Sequence, residues 1–431
     1  MNILIVGNGG REHTIAWKIF NSPSFDKSQS KIYCTTGNPG IDKIAEPVDI
    51  KADQTELLLN FASEKHIDFT IVGPEVPLSL GIVDAFTNNN LKIFGPSKSA
   101  SEIETSKVFS KDFMARNKIP TASYKVFDDS NYSEVHDYLN SIKFPIVIKA
   151  DGLAAGKGVY IAHNIEDAVS FINDIHDNLI FGTSGLRFVI EEFLEGFEVS
   201  VFVITDGTNF KILPYAQDFK KIGENDTGKN TGGMGSFAPA NFLVDDITTH
   251  KITEKIILPT LKNMKQEGRE FKGCLYCGLM IVKNGDEFEP YVIEFNCRFG
   301  DPETQSVLPL IKSDFLQLLI ASAENKIDDY ELEVNNLFSL CIVAASGGYP
   351  EKHNTGYPVS GLEDICNDCI VFHSGTKSLD NNVITNGGRV LSVVGISNKS
   401  FKDAREIAYK SISSISFKDM YYRKDIGSKL I

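Results

Sequence analysis

The first 120 residues alternate between short apolar runs and helical patterns, and this alternation limits the fold more than any other feature of the sequence. Helical patterns such as Glu56–Lys65 and Leu80–Asn88 separate the apolar runs. Each apolar run is closed by Gly or Gly-Pro, and the four lie at Ile3–Val6, Ile32–Thr35, Phe69–Val72 and Leu91–Phe94. The alternation predicts a parallel sheet with helices on both faces, which binds its ligands beyond the carboxyl ends of the strands.

The first such strand end is the loop Gly7–His13, which contains Gly9 and Gly10. A dinucleotide fingerprint would need a third glycine where Glu12 stands, and an acidic residue at the end of the second strand, where Tyr33–Gly37 has none. The sequence therefore disfavours a nicotinamide cofactor. Small residues at a helix N-terminus still present free N–H groups to a phosphate, although Arg11 and the other first-turn residues would look the same if merely exposed.

A glycine-rich stretch follows a predicted strand in the next unit. Lys143–Ala150 is apolar and ends with Lys149, and Asp151–Gly158 comes directly after it. This stretch is not a Walker loop, because its glycines are one residue too close and Gly158 stands where a Ser or Thr would hold a metal. It is typical of a flexible flap that folds over phosphates, with Lys149 and Lys157 supplying charge. A glycine-rich hairpin with solvated lysines is the alternative.

Two further segments have features of a nucleotide site. The predicted strand Arg187–Leu194 is followed by a turn, and a strand edge of this kind can offer main-chain groups to an adenine, with Glu198 reaching the ribose hydroxyls. Asp226–Gly235 is rich in glycine and threonine and lies between apolar strands. Such a loop indicates closure over a ligand, and a disordered excursion is the alternative.

The segment Tyr291–Gln305 contains the strongest candidate for a metal site. Glu294 and Asn296 stand two residues apart in a predicted strand, so both side chains point to the same face. A carboxylate beside an amide oxygen suits Mg²⁺ that is shared with phosphate oxygens. Arg298 follows within a Gly-Asp-Pro turn and could bind a carboxylate or phosphate with two hydrogen bonds. The alternative is a strand end followed by a solvated turn.

The predicted fold class is α/β and α+β multidomain. The predicted units are an N-terminal parallel α/β substrate-binding domain over 1–120, a small lobe with the flap over 121–190, a large lobe with the metal site over 191–328 and a C-terminal α+β domain over 329–431. The last unit rests on apolar strands at Phe338–Ala345 and Arg389–Ile396 and on a helical pattern over Lys402–Ser413.

Charge and composition exclude several classes of partner. The 431 residues carry a formal charge of −14, which argues against nucleic acid or an anionic membrane as a partner. No apolar run reaches the roughly 18 residues of a membrane helix, and no basic segment precedes the first apolar run, so we expect a cytoplasmic protein. Zinc is disfavoured for the pairs Cys274/Cys277 and Cys366/Cys369, because a strand would turn the first pair to opposite faces. We expect the cysteines to be small core residues.

The segment Arg298–Gln305 resembles the signature of the glycinamide ribonucleotide synthetases, a family of phosphoribosylamine–glycine ligases within the ATP-grasp superfamily. Further segments resemble the other motifs of that family in the same order along essentially the whole chain: Gly7–His13, Ile71–Glu75, Ile148–Gly158, Asn230–Gly235, Asn386–Val390 and Arg423–Gly427. The resemblance implies a Rossmann-like N-terminal domain, an ATP-grasp core of two lobes and a C-terminal α+β domain.

The resemblance also implies a reaction and its site. ATP, glycine and 5-phosphoribosylamine would give ADP, phosphate and glycinamide ribonucleotide through a glycyl phosphate, and catalysis would consist of positioning substrates and neutralising charge. The metal would be Mg²⁺ or Mn²⁺ at Glu294 and Asn296. Asp218 and Arg298 would serve the amine substrate and the reacting centre, and Gly9 and Gly10 the sugar phosphate. The residues implied for ATP are Lys107, Lys149, Gly156, Lys157, Gly158, Glu191, Leu194 and Glu198.

One position departs from the family pattern. Phe219 stands where relatives usually have a histidine in an Asp-His-Lys sequence, and its side chain cannot form a hydrogen bond. We expect a monomer acting on small-molecule substrates. The rival hypotheses are another ATP-grasp carboxylate–amine ligase, with a different acid or amine, and a nucleotide-binding module without turnover.

Overall fold

The computed structural model describes residues 1–152 and 158–430, and its N-terminal part is a five-stranded sheet with helices packed around it. The strand order is β3-β2-β1-β4-β5, and all four pairings are parallel. This confirms the parallel sheet predicted from the apolar runs. The elements in chain order are β1 (Asn2–Val6), α1 (Gly10–Phe20), β2 (Lys31–Thr35), β3 (Glu46–Val48), α2 (Thr55–Glu64), β4 (Phe69–Val72), α3 (Glu75–Leu80), α4 (Ile82–Asn88) and β5 (Ile93–Phe94).

A four-stranded antiparallel sheet, ordered β6-β9-β7-β8, forms the small lobe. Its residues enclose a hydrophobic core of their own, which runs in sequence from Phe127 to Ile190. Two helices lead into the lobe from the N-terminal part, and the second of them begins at Lys107 because Ser106 caps its first turn. The elements are α5 (Lys98–Thr105), α6 (Lys107–Arg116), β6 (Tyr124–Phe127), α7 (Val135–Ser141), β7 (Ile146–Ala150), β8 (Val159–Ala162), α8 (Ile165–His176) and β9 (Phe188–Glu192).

The large lobe is built on a second antiparallel sheet, ordered β11-β10-β16-β17. A π-helical stretch over Thr253–Ile257 joins two of its helices. The elements are β10 (Phe197–Thr205), β11 (Phe210–Ile212), β12 (Gln217–Asp218), β13 (Lys221–Gly223), β14 (Thr227–Asn230), β15 (Gly235–Ala238), α9 (Asp246–Ile252), α10 (Leu258–Gln266), β16 (Gly273–Asn284), β17 (Glu287–Asn296), α11 (Glu303–Val307) and α12 (Phe315–Ala323).

The C-terminal part completes a five-stranded sheet that begins in the large lobe. Its order is β12-β15-β18-β22-β19, so the predicted boundary between residues 328 and 329 divides strands that belong to one sheet. The last helix packs on β18 and β22. The elements are β18 (Phe338–Ala345), β19 (Cys369–His373), β20 (Thr376–Leu379), β21 (Asn382–Thr385), β22 (Arg389–Ser397) and α13 (Phe401–Ser414).

The cysteines are unpaired, and all of them except the partly exposed Cys366 are buried. Cys274 and Cys277 lie on opposite faces of β16, in two different hydrophobic clusters, as the alternation of a strand requires. Within residues 1–152 and 158–430, no helix has the length and apolar character needed to span a membrane.

Two buried histidines join the N-terminal and C-terminal parts. The His373 N–H, on β19, donates a hydrogen bond to Nδ1 of His13, on α1, at 2.8 Å. Nδ1 of His373 lies 3.0 Å from the Thr376 hydroxyl. Burial, with the nearby His373 and Lys43, lowers the pKa of His13 to about 3, and burial with the charge of Lys43 lowers the pKa of His373 to about 4. Both imidazoles are therefore neutral in the folded protein near neutral pH.

We expect the protein to lose stability as the pH falls below about 6.5, because unfolded histidines bind protons there and these two do not until about pH 3 to 4. Each histidine should lower the free energy of unfolding by about 1.4 kcal/mol per pH unit in that window. His373→Gln should reduce this slope in urea unfolding at several pH values, whereas His250→Gln, at an exposed position, should not. Equal slopes for the wild type and His373→Gln would contradict the prediction.

Candidate active site

One cavity of about 1390 Å³ opens between the two lobes and the flanking parts, and it brings most of the predicted site residues together. Gly156 and Lys157 lie outside the described residues. Gly9 and Gly10 are not among the described residues that line the cavity. The predicted residues that do line it are Lys107, Lys149, Gly158, Glu191, Leu194, Glu198, Asp218, Glu294, Asn296 and Arg298.

The backbone of β17 places the predicted metal ligands. Glu294 pairs with Gly278 and Asn296 with Tyr276 on β16, and the register shifts so that Leu279 pairs with Val292. Ile293 is thus the extra residue of a β-bulge, whose main-chain groups the ladder leaves unpaired. Its carbonyl accepts a hydrogen bond from Nζ of Lys149 at 2.9 Å. The bulge therefore fixes a lysine of the small lobe beside the carboxylate of the large lobe.

Glu294 is an ionised carboxylate in a strongly positive environment. Burial opposes ionisation, but the charges of Lys220, Lys149, Lys107 and Arg298 together lower its pKa. Gly278 lies opposite, where a Cβ would stand 3.2 Å from Glu294 Cγ, so the glycine leaves room for the side chain. Four converging cations make this end of the cavity a natural site for anionic groups.

The amide of Asn296 is oriented by its neighbours. When the amide is assigned so that its nitrogen faces acceptors, the nitrogen donates to Glu104 Oε1 at 3.1 Å and to the Phe295 carbonyl at 3.2 Å, which leaves the oxygen as an acceptor. Within the described ranges, no three His, Cys, Asp or Glu side chains form a metal-binding cluster. Two oxygen donors are too few to hold a cation alone, but they fit Mg²⁺ or Mn²⁺ that also binds phosphate oxygens.

A row of lysines forms the wall on the small-lobe side. Nζ of Lys111 lies 2.7 Å from Glu191 Oε2, and Nζ of Lys149 lies 2.9 Å from Glu191 Oε1, with all three side chains buried. Burial, with the nearby charge of Lys149, lowers the pKa of Lys111 to about 8. Nζ of Lys107 donates to the Gly152 carbonyl at 3.0 Å. No local pattern singles out Lys111, because its partner lies on a distant strand.

Glu191 and Leu194 differ in what their main chains can offer a ligand. Glu191 lies in the central strand β9, flanked in register by Tyr124 on one side and Val147 on the other, so its main-chain groups face the neighbouring strands. Leu194 lies two residues beyond the end of β9, so its main chain is not part of the pairing with the neighbouring strands. The predicted main-chain contact with adenine therefore fits Leu194, whereas the side chain of Glu191 holds two lysines.

Asp218, Glu198 and Lys220 form a charged group on the opposite wall. Nζ of Lys220 pairs with Glu198 Oε2 and lies 3.7 Å from Asp218 Oδ1. Burial raises the pKa of Asp218 to about 8; Lys220 opposes this, whereas Glu303, Glu198 and Glu294 add to it. Asp218 can therefore exchange a proton near neutral pH.

Arg298 reaches the cavity between two acids that were not predicted as site residues. Its Nε lies 3.1 Å from Glu75 Oε2, and its Nη2 lies 2.9 Å from Glu104 Oε1. Burial opposes the ionisation of Glu75, but the charges of Arg298 and Arg11, together with hydrogen bonds to the carboxylate, lower its pKa to about 2. These contacts hold the guanidinium in one orientation at the metal end of the cavity.

The glycines predicted to bind the sugar phosphate are in contact with neighbouring side chains and do not line the cavity. The Gly9 N–H donates to Oε2 of Glu12 at 2.7 Å, and a Cβ on Gly10 would stand 2.8 Å from Gln305 Nε2. Arg11, one residue further on, lines the cavity and is held by Glu12 Oε1 at 2.7 Å. In this structure the first turn of α1 meets the cavity through an arginine and not through its glycines.

Phe219 lines the cavity and packs against another aromatic ring. Its ring is 6.3 Å from the ring of Phe237, and the guanidinium of Arg423 lies 5.2 Å from its centroid. Its main chain exchanges hydrogen bonds with Met234 and Gly235. The position thus has a packing role here that requires no hydrogen bond from the side chain.

Family models cover nearly the whole chain in three consecutive segments. The N domain of phosphoribosylglycinamide synthetase matches residues 1–104, the ATP-grasp (A) domain matches residues 105–304 and the C domain matches residues 339–429. The match of the A domain accords with the two antiparallel lobes that enclose the cavity.

Individual relatives match over their full length. The phosphoribosylamine–glycine ligase of Caldanaerobacter subterraneus subsp. tengcongensis is 46% identical, covering 99% of this chain and 100% of the relative. The phosphoribosylamine–glycine ligase of Escherichia coli (strain K12) is 46% identical, covering 100% of this chain and 99% of the relative. The crystal structure of phosphoribosylamine–glycine ligase from Thermotoga maritima has a TM-score of 0.82 and 29% identity, covering 99% of this chain and 100% of that chain.

Proposed function

The chain belongs to the phosphoribosylglycinamide synthetase family, and on this premise we propose that it joins glycine to 5-phosphoribosylamine with the cleavage of ATP. The products are glycinamide ribonucleotide, ADP and phosphate, and the reaction is a step of purine biosynthesis. The observation that carries the proposal is the convergence of Lys107, Lys149 and Glu294 in the cavity between two ATP-grasp lobes.

The proposed course has two steps. A carboxylate oxygen of glycine attacks the γ-phosphorus of ATP, and ADP leaves. The nitrogen of 5-phosphoribosylamine then attacks the carbonyl carbon of the glycyl phosphate, phosphate leaves and the nitrogen gives up a proton. No nucleophile of the protein is required, so the residues act by orienting the substrates and stabilising charge.

ATP-grasp enzymes generally use a divalent cation, and the donors here fit one. Glu294 and Asn296 would hold Mg²⁺ or Mn²⁺, which when bound neutralises the charge of the phosphates. Lys107 and Lys149 are directed at the same region and would bind phosphate oxygens. Arg298 would orient the carboxylate of glycine and then the acyl phosphate, because Glu75 and Glu104 hold its fork in place.

The nucleoside would lie along the β9–β10 edge of the cavity. Leu194 would meet the adenine through its main chain, and Glu198 would accept hydrogen bonds from the ribose hydroxyls. Gly158, with Gly156 and Lys157 of the predicted flap, would cover the phosphates.

Asp218 would take the proton that the amine releases. Gly9 and Gly10 would bind the sugar phosphate. Arg11, which follows them and lines the cavity, would supply positive charge beside it.

The test is ADP release with each substrate omitted in turn. We expect ADP only when glycine, 5-phosphoribosylamine and ATP are all present. A module that binds nucleotide without turnover would release none, and a ligase for another acid or amine would be inactive with this pair. Steady ADP release without the amine would contradict the coupled reaction.

Lys149→Ala should raise KM for ATP by about tenfold or more, because a charge-assisted hydrogen bond to a phosphate is lost. KM for glycine should change much less, since the lysine lies on the small-lobe wall beside Glu191. Steady-state kinetics with one substrate varied at a time measures both constants. Lys143→Ala, at an exposed position just before β7, is the control and should leave both unchanged. Equal rises in the two constants would count against a phosphate contact for Lys149.

A cytoplasmic location and a monomeric state are also part of the proposal. The unpaired state of all seven cysteines supports the first, since reduced thiols suit a reducing compartment. Equilibrium sedimentation would test the second.

A further inference from the structure

Two sequence motifs have no role in the proposed reaction, and both lead to the same part of the cavity wall. Asn386–Val390 supplies Arg389, and Arg423–Gly427 supplies Arg423. Each arginine contacts the stretch 221–234, which comprises β13, β14 and the turn after them and which we call the wall segment. The wall segment lines the cavity through Lys221, Asp226, Asn230, Thr231 and Gly232.

Arg423 holds one end of the wall segment. Its side chain is fully buried, and its Nη1 donates to the Lys221 carbonyl at 3.0 Å and to Asp226 Oδ1 at 2.9 Å. Its Nε and Nη2 donate to the two carboxylate oxygens of Asp425 at 2.8 and 2.6 Å. Asp425 in turn accepts the Asn225 N–H at 2.8 Å. The hydrogen bonds to Lys221 and Asp226 join the C-terminal segment to the hairpin, and Asp425 orients the guanidinium that makes them.

The hairpin tip needs such support. Asn225 and Asp226 have φ angles of 56° and 55°, a left-handed conformation that non-glycine residues adopt only at a cost. The contacts from Arg423 and Asp425 stabilise these two residues directly. Without them, we expect the tip to sample other conformations.

Arg389 holds the other end. Its Nη1 donates to the Gly232 carbonyl and, at 2.8 Å, to the Asp301 carbonyl, and its Nη2 lies 2.9 Å from Asp301 Oδ2. The Gly232 N–H donates to the Tyr349 hydroxyl at 3.0 Å. One guanidinium thus joins the C-terminal sheet, the wall segment and the turn that follows Arg298.

Hydrogen bonds connect the wall segment to Lys220, which lies beside Asp218. Thr231 donates its N–H and its hydroxyl to the Lys220 carbonyl, both at 2.8 Å. Lys220 in turn pairs with Glu198 and lies near Asp218. A shift of the wall segment would therefore move Lys220 and Asp218, to which we assign the amine. Glu198, which we assign to the ribose, is held in β10 opposite Met280, and Lys149 is anchored separately through Ile293 of β17.

We propose that Arg389 and Arg423 are positioning residues that clamp the wall segment and thereby orient Lys220 and Asp218 for the amine substrate. The inference rests on the proposed function, since it concerns one substrate of that reaction. Neither arginine touches the reacting atoms in this proposal. Their loss should affect the use of 5-phosphoribosylamine and spare the binding of ATP.

The test uses three substitutions that change the size of the side chain little: Arg389→Lys, Arg423→Lys and Asp226→Asn. Lysine cannot form the forked contacts of either arginine, and Asp226 is half exposed, so its replacement leaves no buried cavity. Each should raise KM for the amine or lower kcat by about tenfold, since a charge-assisted hydrogen bond is lost. The Kd for ATP, measured by calorimetry, should stay within about twofold of wild type. Glu351→Gln is the matched control, because it breaks an exposed ion pair between Lys229 of the same hairpin and the C-terminal part.

Hydrogen exchange separates this inference from the proposed function. In the absence of substrates, amides of 221–234 should exchange faster in Arg423→Lys and Asp226→Asn than in wild type, and Glu351→Gln should match wild type. Unchanged exchange and unchanged amine kinetics would overturn the clamp even if the enzyme is active. The clamp would also be overturned if the variants lost ATP affinity to the same extent as they lost activity with the amine, because the substitutions would then disturb the whole cavity. If the wild type fails to release ADP with glycine and the amine, the proposed function fails, whatever the exchange result.

Discussion

Replacing Glu294 by alanine should reduce kcat by about 10³-fold or more, because enzymes of this kind accelerate phosphoryl transfer mainly by stabilising charge on the transferring group. The carboxylate is the charged member of the proposed cation site, and the amide of Asn296 cannot hold a hard cation alone. Steady-state ADP release at increasing Mg²⁺ concentration measures the effect. We expect partial recovery at high Mg²⁺, because a higher cation concentration offsets weaker cation binding.

The environment of Glu294 makes a stability control necessary. Its carboxylate compensates Lys107, Lys149, Lys220 and Arg298, so its removal leaves buried cations without their counter-charge. The Tm of the variant must therefore be measured beside its activity. Glu289→Ala is the matched control: Glu289 lies on the same strand and pairs with two lysines away from the cavity. Wild-type activity in a folded Glu294→Ala protein would contradict the proposed metal site.

The parallel sheet was predictable because strands buried on both faces are continuously apolar. The edge strand β3, Glu46–Val48, was missed, since it is short, contains a proline and is half exposed. The helical pattern Leu80–Asn88 corresponds to α4, Ile82–Asn88, but it begins two residues too early. Gly81 adopts a φ of 90° there and ends one helix before the next begins, which is a left-handed C-cap that periodicity alone does not reveal.

The shared sheet was not predictable from local patterns. Gly235–Ala238 pairs with Phe338–Ala345 across more than a hundred residues, and nothing in either stretch specifies the other as its partner. A polar stretch near residues 325–336 suggested a boundary there. Composition marks where a chain is exposed, but it does not show which strands complete a sheet.

The same reasoning explains which residues of the cavity the sequence singled out. Glu294 and Asn296 could be paired because their relation depends only on the two-residue repeat of one strand. Lys111, Glu104 and Arg389 were missed because each acts through a residue far away in sequence, such as Asp301, 88 positions from Arg389. Isolated charged residues on a helix or strand usually face solvent, so no local pattern distinguishes these three from exposed residues.

The activity of Asp218→Asn should fall by about 10²-fold with 5-phosphoribosylamine, the usual contribution of a positioned general base. Asparagine keeps the size of the side chain but cannot take the proton that the attacking nitrogen releases. Lys220 then pairs with Glu198 alone. Because ATP binding does not involve this residue in our assignment, KM for ATP should change little. A similar loss in ATP binding would show that Asp218 acts on the whole cavity and not on the amine.

The pH dependence gives the sharper test of the same assignment. Burial raises the pKa of Asp218 to about 8, so the ionised fraction of the carboxyl rises steeply with pH below that value and approaches one above it. In the wild type, kcat/KM for the amine should rise by about tenfold per pH unit below pH 8 and level off above it. The ionisation of the amine itself affects every variant equally, so the ratio of wild type to Asp218→Asn isolates the carboxyl. Asp286→Asn, at the exposed turn between β16 and β17, should keep the wild-type profile. A ratio that does not vary with pH would show that Asp218 orients the substrate without accepting its proton.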